Sequence, residues 1–183
     1  MSLLAETLVE EWLNRQGFFT IRGVKQGVHE IDLLAVRHRS SREPESWHVE
    51  SQVSFRPVSY ITPLSPELAA QLGKKPTSSF RRTENQMAQC VTSWVAKKFL
   101  AARKVSARES LWPSLAWRFV VVHGVVKHPE ELQILSSQGI TLVPLTTALQ
   151  DLCSSGVPVF TGSAGGDLAD LIAFYAQHSK LGA

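Results

Sequence analysis

The sequence predicts an α/β domain built on a mixed central sheet flanked by helices, and three observations carry that prediction. The elements read α-β-β-β-α-β-α-β-α along the chain, so a hairpin-rich first half gives way to alternating strands and helices. Two segments of the second half, 116–126 and 139–145, are apolar almost throughout, the pattern of strands covered on both faces. The chain has 183 residues, 44% of them hydrophobic, which suits one domain with an ordinary core. Residues 1–183 are therefore expected to form a single domain, with a core at 1–126 and a C-terminal β/α extension of the same domain at 127–183.

Leu4, Ala5, Leu8, Val9, Trp12 and Leu13 recur at helical spacing, which makes 2–16 an amphipathic helix closed by Gly17. Phe18 to Val24 reads as a strand, Gln26-Gly27 as a turn and 29–38 as the second strand, before a loop of Ser, Pro and charged residues. Residues 47–55 alternate, with Trp47, Val49, Ser51, Val53 and Phe55 on one face and His48, Glu50, Gln52 and Ser54 on the other. That is a half-buried third strand. Residues 56–82 carry Pro57, Pro63, Pro66 and Pro76 and leave room for one helical turn at 66–72; so long a connection is usually functional or mobile.

Thr83 is placed to cap a long helix running from Glu84 to Arg108. On its wheel Met87, Val91, Trp94, Val95, Phe99 and Ala102 share one side, and Gln86, Gln89, Ser93, Lys97 and Lys104 the other. Lys98 falls inside the apolar arc and is expected to snorkel. After the strand at 116–126, Pro129 opens a short helix reaching Ser137. A strand at 139–145 and helices at 146–154 and 166–179 complete the chain.

No run approaches the length of apolar sequence that an ordinary transmembrane helix needs. The N-terminus, MSLLAETLVEEW, meets acidic residues at once and lacks the basic region of a signal peptide. Cys90 and Cys153, far apart in apolar surroundings, suit buried thiols, so a cytoplasmic setting is expected. The net charge of +3 is unevenly spread: residues 56–108 hold ten Lys/Arg against two Asp/Glu, whereas residues 1–55 hold six against eight. A basic middle of this kind attracts polyanions.

Carboxylates stand where a core should begin. Asp32 interrupts an apolar strand and shares a face with Glu30 and Leu34, while Glu50 and Gln52 share a face of the next strand. If those strands are neighbours, Asp32 and Glu50 converge on one point. Glu6 borders the apolar stripe of the first helix and faces partly inward. Carboxylates gathered at one point repel unless a cation joins them, and oxygen-only ligation favours Mg²⁺ or Mn²⁺ over zinc.

Each acid also has an ordinary reading. Asp32 could pair with Arg37 or Arg39, Glu50 and Gln52 could face water on an edge strand, and Glu6 could be an acid favoured by the helix dipole. The histidines at 29, 38, 48, 123, 128 and 178 have no metal-ligand spacing; His123 reads as a satisfied core residue, and His48 shares the face of Glu50. The stretch from Gly162 to Asp167 lacks the Lys-Ser/Thr of a P-loop and reads as the start of the last helix.

The order of these elements and acids resembles the PD-(D/E)XK nuclease superfamily, the restriction-endonuclease-like fold, whose α-β-β-β-α-β core would cover 2–126. On that resemblance Asp32 is the acid of the second strand and Glu50-Ser51-Gln52 stands for the (D/E)-X-K motif. The start is also similar to archaeal Holliday-junction resolvases and Mrr-type proteins. Glu6 lies on a helix that runs into Gly17-Phe18, and Gly27-Val28-His29-Glu30-Ile31-Asp32 is close to the family's glycine-turn-Glu-hydrophobic-Asp pattern.

The resemblance implies a metal-dependent DNA endonuclease or related nuclease hydrolysing phosphodiester bonds. Asp32, Glu50, the Ser51 carbonyl and Glu6 would surround Mg²⁺ or Mn²⁺, and Gln52 would orient the attacking water. Gln52 stands where the family most often has lysine and supplies no positive charge. Lys97 is a candidate to bring that charge from another element, Gln86 a candidate helical glutamine beside the site, and Glu30 and His48 are candidate auxiliaries. Lys74, Lys75, Arg81, Arg82 and Lys97 would contact phosphates, and a homodimer would suit cutting of two strands. The rival expectations are a degenerate member of the fold that binds nucleic acid or a protein without cutting, and an interaction domain whose carboxylates are structural.

Overall fold

Five strands pair in the order in which they occur along the chain. The computed structural model describes residues 3–38, 43–154 and 165–178; Arg39 and Gly162, named above, lie outside the described residues. Strands β1 (Phe19–Gln26) and β2 (His29–Arg37) form an antiparallel hairpin, turned at Gly27 with φ of 64°, a left-handed backbone that glycine adopts without strain. Strand β3 (Glu45–Gln52) runs antiparallel to β2, and β4 (Trp117–His123) and β5 (Thr141–Pro144) follow in parallel. Parallel neighbours need crossovers. Helices α2 (Pro66–Leu72), α3 (Glu84–Val95) and α4 (Ala102–Leu111) lie between β3 and β4, and α5 (Glu130–Ser137) between β4 and β5. The predicted mixed sheet flanked by helices is the architecture observed.

Helix α1 (Leu3–Arg15), with α6 (Leu145–Ser154) and α7 (Gly166–His178), covers one face of the sheet. There Leu8, Val9, Trp12 and Leu13 pack with Leu33, Ala35, Trp47 and Val49. The other face carries Val121, packed with Val91, Trp94 and Val95 of α3, Phe99 just beyond it and Leu135 from α5. Among the described residues no helix is long and apolar enough to cross a membrane. Cys90 is buried and Cys153 half-buried, both as free thiols.

Three expectations change. Strand β3 is not half-buried: flanked by β2 and β4 and covered on both faces, it is buried from Ser46 to Ser51. Strand β5 is a short, half-exposed edge rather than a buried strand. The long helix is broken. It leaves α geometry after Val95, makes a π turn over Ala96–Leu100, passes through an extended Ala101 (φ −55°, ψ 131°) and restarts as α4. No glycine or proline marks the break; Arg108 Nη1 donates to the Phe99 carbonyl there at 2.9 Å.

The proline-rich connection is pinned. Glu131 of α5 accepts from the amides of Ile61 (2.6 Å) and Thr62 (3.1 Å) and from the Thr62 hydroxyl. Arg82 donates from Nη1 to the Thr62 carbonyl at 2.9 Å and lies 4.0 Å over the Tyr60 ring. The role expected of Arg82 as a phosphate contact is therefore corrected: its guanidinium is buried in the anchorage of this segment.

Candidate active site

The hairpin register builds the site. Leu33 pairs with Val49 and Leu34 with His48, so one further step sets Asp32 opposite Glu50, at the point where the β2–β3 ladder ends. On the other side, the pairing of Arg22 with Leu33 and Val24 with Ile31 sets Gly23 opposite Asp32, leaving no side chain there. Asp32 Oδ2 accepts from the Ser51 amide at 2.9 Å. Asp32 is 5% exposed and Glu50 fully buried. Arg37, a candidate partner for Asp32, is instead engaged by Glu45 at 2.7 Å, and a wet edge-strand position for Glu50 does not hold.

Four cationic or imidazole groups converge on Glu50 or on its neighbour. Lys98 Nζ donates to Oε2 at 2.6 Å, and Lys104 Nζ donates to Oε1 at 2.6 Å. His48 Nε2 lies 3.1 Å from Oε1, and Arg108 Nη1 lies 2.8 Å from His48 Nδ1. A guanidinium can only donate, so Nδ1 accepts and the ring proton sits on Nε2, which donates to Glu50. The imidazole is thus held neutral in one tautomer.

The electrostatics follow from burial and neighbours. Burial, then the charge of Glu50, pushes the Asp32 carboxyl up to about 7; Glu6 adds to the rise, and Lys98 and the Ser51 amide oppose it. Burial also pushes Glu50 upward, but the His48 hydrogen bond and the charges of Lys98 and Lys104 outweigh it and hold Glu50 below the usual carboxylate range. Burial takes His48 down to about 4, assisted by Arg108 and Lys104 against the pull of Glu50. Lys98 loses by burial and gains more from Glu50, Asp32 and Glu30, so its ammonium is stabilised.

The other candidates fall into two groups. Glu6 is half-buried and within electrostatic reach of Asp32. Glu30, exposed and 3.8 Å from Lys25, contributes to the field at Lys98. The Ser51 hydroxyl is buried without a hydrogen-bond partner, and Gln52 closes β3 half-buried, opposite His123. His48 belongs to the site rather than the surface.

Lys97 does not bring the missing charge; it is exposed, and its neighbour Lys98 points to Glu50. Gln86 is likewise corrected: its side chain accepts from the Thr83 amide at 2.9 Å in a capping box at the start of α3. Lys74, Lys75 and Arg81 are exposed on the connection, with Lys74 4.9 Å over Phe80.

Sequence reasoning missed Lys98, Lys104 and Arg108 because it ran one helical wheel through Ala101. On a continuous helix Lys98 and Lys104 are about 120° apart; the break lets both reach one carboxylate. A signal was present. The apolar residues of α4, Val105 and Leu111, are exposed, and its inward side is Lys104 and Arg108, one turn apart.

No protein-family model matches the chain, and no curated protein does. Among solved structures it is similar to a crystal structure of a protein of unknown function, AF1548, at 14% identity and a TM-score of 0.46, covering 98% of each chain. It is also similar to the MspJI restriction endonuclease in complex with a 27-mer oligonucleotide, at 16% identity and a TM-score of 0.34, covering 96% of this chain and 31% of that one.

Proposed function

We propose that the chain is a divalent-metal-dependent nuclease hydrolysing phosphodiester bonds in DNA, of PD-(D/E)XK type, in which Lys98 supplies the charge that Gln52 cannot. The observation that carries this reading is the Lys98 ammonium, 2.6 Å from Glu50 and close enough to Asp32 to oppose the rise in its pKa. Mg²⁺ or Mn²⁺ suits the donor set. Mg²⁺ takes one or two carboxylates and completes its shell with water and substrate phosphate. Asp32 is a buried carboxyl pushed up to about 7 by burial and Glu50, and a shared cation relieves that repulsion. Among the described residues no group of three or more His, Cys, Asp or Glu gathers to hold a metal alone. An ion here would rely on Asp32 and Glu50, with the Ser51 carbonyl and Glu6 at its margin.

When bound, the ion polarises the phosphate and acidifies its water. The chain's own groups do the rest. Lys104 and His48 fix Glu50 through Oε1, and Arg108 fixes His48. Lys98, its side chain 24% exposed, neutralises charge that builds on the phosphate. Gln52, on the same face as Glu50, orients a water through its amide. Lys74, Lys75, Arg81 and Lys97, all exposed, attract backbone phosphates without reading sequence.

One observation favours a second reading, a module that binds nucleic acid or a protein without cutting: both Glu50 oxygens already hold protein ammonium groups. Incubation of plasmid and branched DNA with Mn²⁺ separates the two. The nuclease reading expects cleavage that Asp32→Asn, Glu50→Gln and Lys98→Ala each lose. DNA retained uncut by the wild type leaves the binding module standing.

A further inference from the structure

We infer that Lys98 is an exchangeable internal cation: its ammonium holds Glu50 Oε2 while no divalent ion is bound and gives that oxygen up when one arrives. The inference rests on the nuclease reading and concerns how its site is held before metal enters. The two oxygens of Glu50 are held unequally. Oε1 accepts from Lys104 and His48, whose side chains are 4% and 0% exposed, and His48 is fixed at its other nitrogen by Arg108. Oε2 accepts from Lys98, whose side chain is 24% exposed.

Lys98 stands at the middle of the π turn Ala96–Leu100, with the extended Ala101 just beyond. Such π segments are irregular and occur often at functional sites. A flexible four-carbon stem rooted there can withdraw toward solvent without disturbing α3 or α4. Asp32 and Glu30 attract the same ammonium, so it keeps electrostatic partners after leaving Oε2. A resident cation lowers the apparent affinity for a competitor in proportion to the time it occupies the site.

The test is a calorimetric titration of the full chain with Mn²⁺ for the wild type, Lys98→Gln, Lys104→Gln and Asp32→Ala. The two lysine variants remove the same charge from the same carboxylate, each from 2.6 Å, but Lys98 also acts on Asp32. A loss of charge by itself therefore tightens the Lys98 variant more, and labelling of Lys98 separates that effect from exchange. Exchange expects Lys98→Gln to tighten Mn²⁺ binding about tenfold and by more than Lys104→Gln. It also expects Mn²⁺ to speed labelling of Lys98 in the wild type by an amine reagent, read by mass spectrometry.

Equal tightening in both variants, or an unchanged Kd in Lys98→Gln, overturns the exchange while Asp32-dependent binding keeps the nuclease reading intact. Should Lys104→Gln fail to fold, the labelling decides, and a rate indifferent to Mn²⁺ overturns the exchange. Mn²⁺ binding by neither the wild type nor Lys98→Gln overturns the metal reading and the exchange together.

Discussion

Glu50 and Glu131 are both fully buried carboxylates, and the contrast between them separates a site from a scaffold. Glu131 is met by two backbone amides and a hydroxyl from Ile61 and Thr62, with Arg82 3.9 Å away. These are mostly fixed dipoles, and together they tie α5 to the proline-rich connection. Glu50 is met by two ammonium groups and an imidazole, and it shares its surroundings with a second acid, Asp32, whose pKa it raises. Burial alone therefore does not mark function. Glu131 is satisfied mostly by neutral donors from the segment it anchors, whereas Glu50 and Asp32 are arranged so that an incoming cation would find two carboxylates and one partly exposed competitor.

The largest expected effect sharpens that contrast in activity. On the proposed nuclease reading, Asp32→Asn and Glu50→Gln should each lower DNA cleavage by about a thousandfold or more, the several kcal/mol that metal-borne charge stabilisation would supply. Glu131→Gln, assayed at a temperature where it stays folded, should remain within about threefold of the wild type, because amides, a hydroxyl and the anchoring Arg82 surround it and no reacting group does. Single-turnover cleavage with Mg²⁺ measures both. A loss at Glu131 as deep as that at Glu50 breaks the distinction.

Stability should separate the two regions by repair rather than by the size of the loss. Glu131→Ala strands the buried Arg82 guanidinium and the amides of Ile61 and Thr62, an expected loss of about 3–5 kcal/mol in urea unfolding. Glu50→Ala strands Lys104, 4% exposed, at a similar cost. The second loss should be recoverable. Lys104→Met beside Glu50→Ala removes the unpaired charge and should restore about 2 kcal/mol, while no single partner change repairs Glu131→Ala, because two of its donors are main-chain amides that no substitution removes.

The same contrast explains what could be read from the sequence. Asp32 and Glu50 were legible because strand periodicity is two and one face of each strand is fixed by its apolar pattern, so two acids on one face of neighbouring antiparallel strands meet. Glu131 was not, since an acid in the first turn of a helix looks like a response to the helix dipole. Lys98 and Lys104 were hidden by a break at Ala101 that no glycine or proline announces; Arg108 bridges it by reaching back to the Phe99 carbonyl. Arg82 was misread for the opposite reason. A basic pair beside prolines reads as exposed loop, yet only Arg81 is exposed, and Arg82 is drawn inward by Tyr60, Thr62 and Glu131.

The smallest expected effect lies in the pH dependence of Asp32, which Glu50, Lys98 and Glu6 face. Its carboxyl titrates at about 7 in the folded chain against 3.8 ordinarily, so the folded state binds a proton more tightly than the unfolded one. Folding stability from this group is then undiminished below about pH 4, falls as pH rises through the window up to about 7, and stays diminished above it. Asp32→Asn removes the penalty and keeps an oxygen to accept from the Ser51 amide. The difference in stability between the variant and the wild type should be near zero at pH 4 and reach about 2 kcal/mol in the variant's favour at pH 8, below a ceiling of roughly 4 kcal/mol for a shift this large. His48 does not confuse the comparison. Its depressed pKa, about 4, removes stability as pH falls from 6.5, but it does so in both proteins and cancels in the difference. Mn²⁺ at pH 8 should then reverse the order, stabilising the wild type and not the variant, because only an ionised Asp32 offers the ion a charge. A variant less stable than the wild type at pH 8 without metal would make Asp32 a scaffold residue like Glu131.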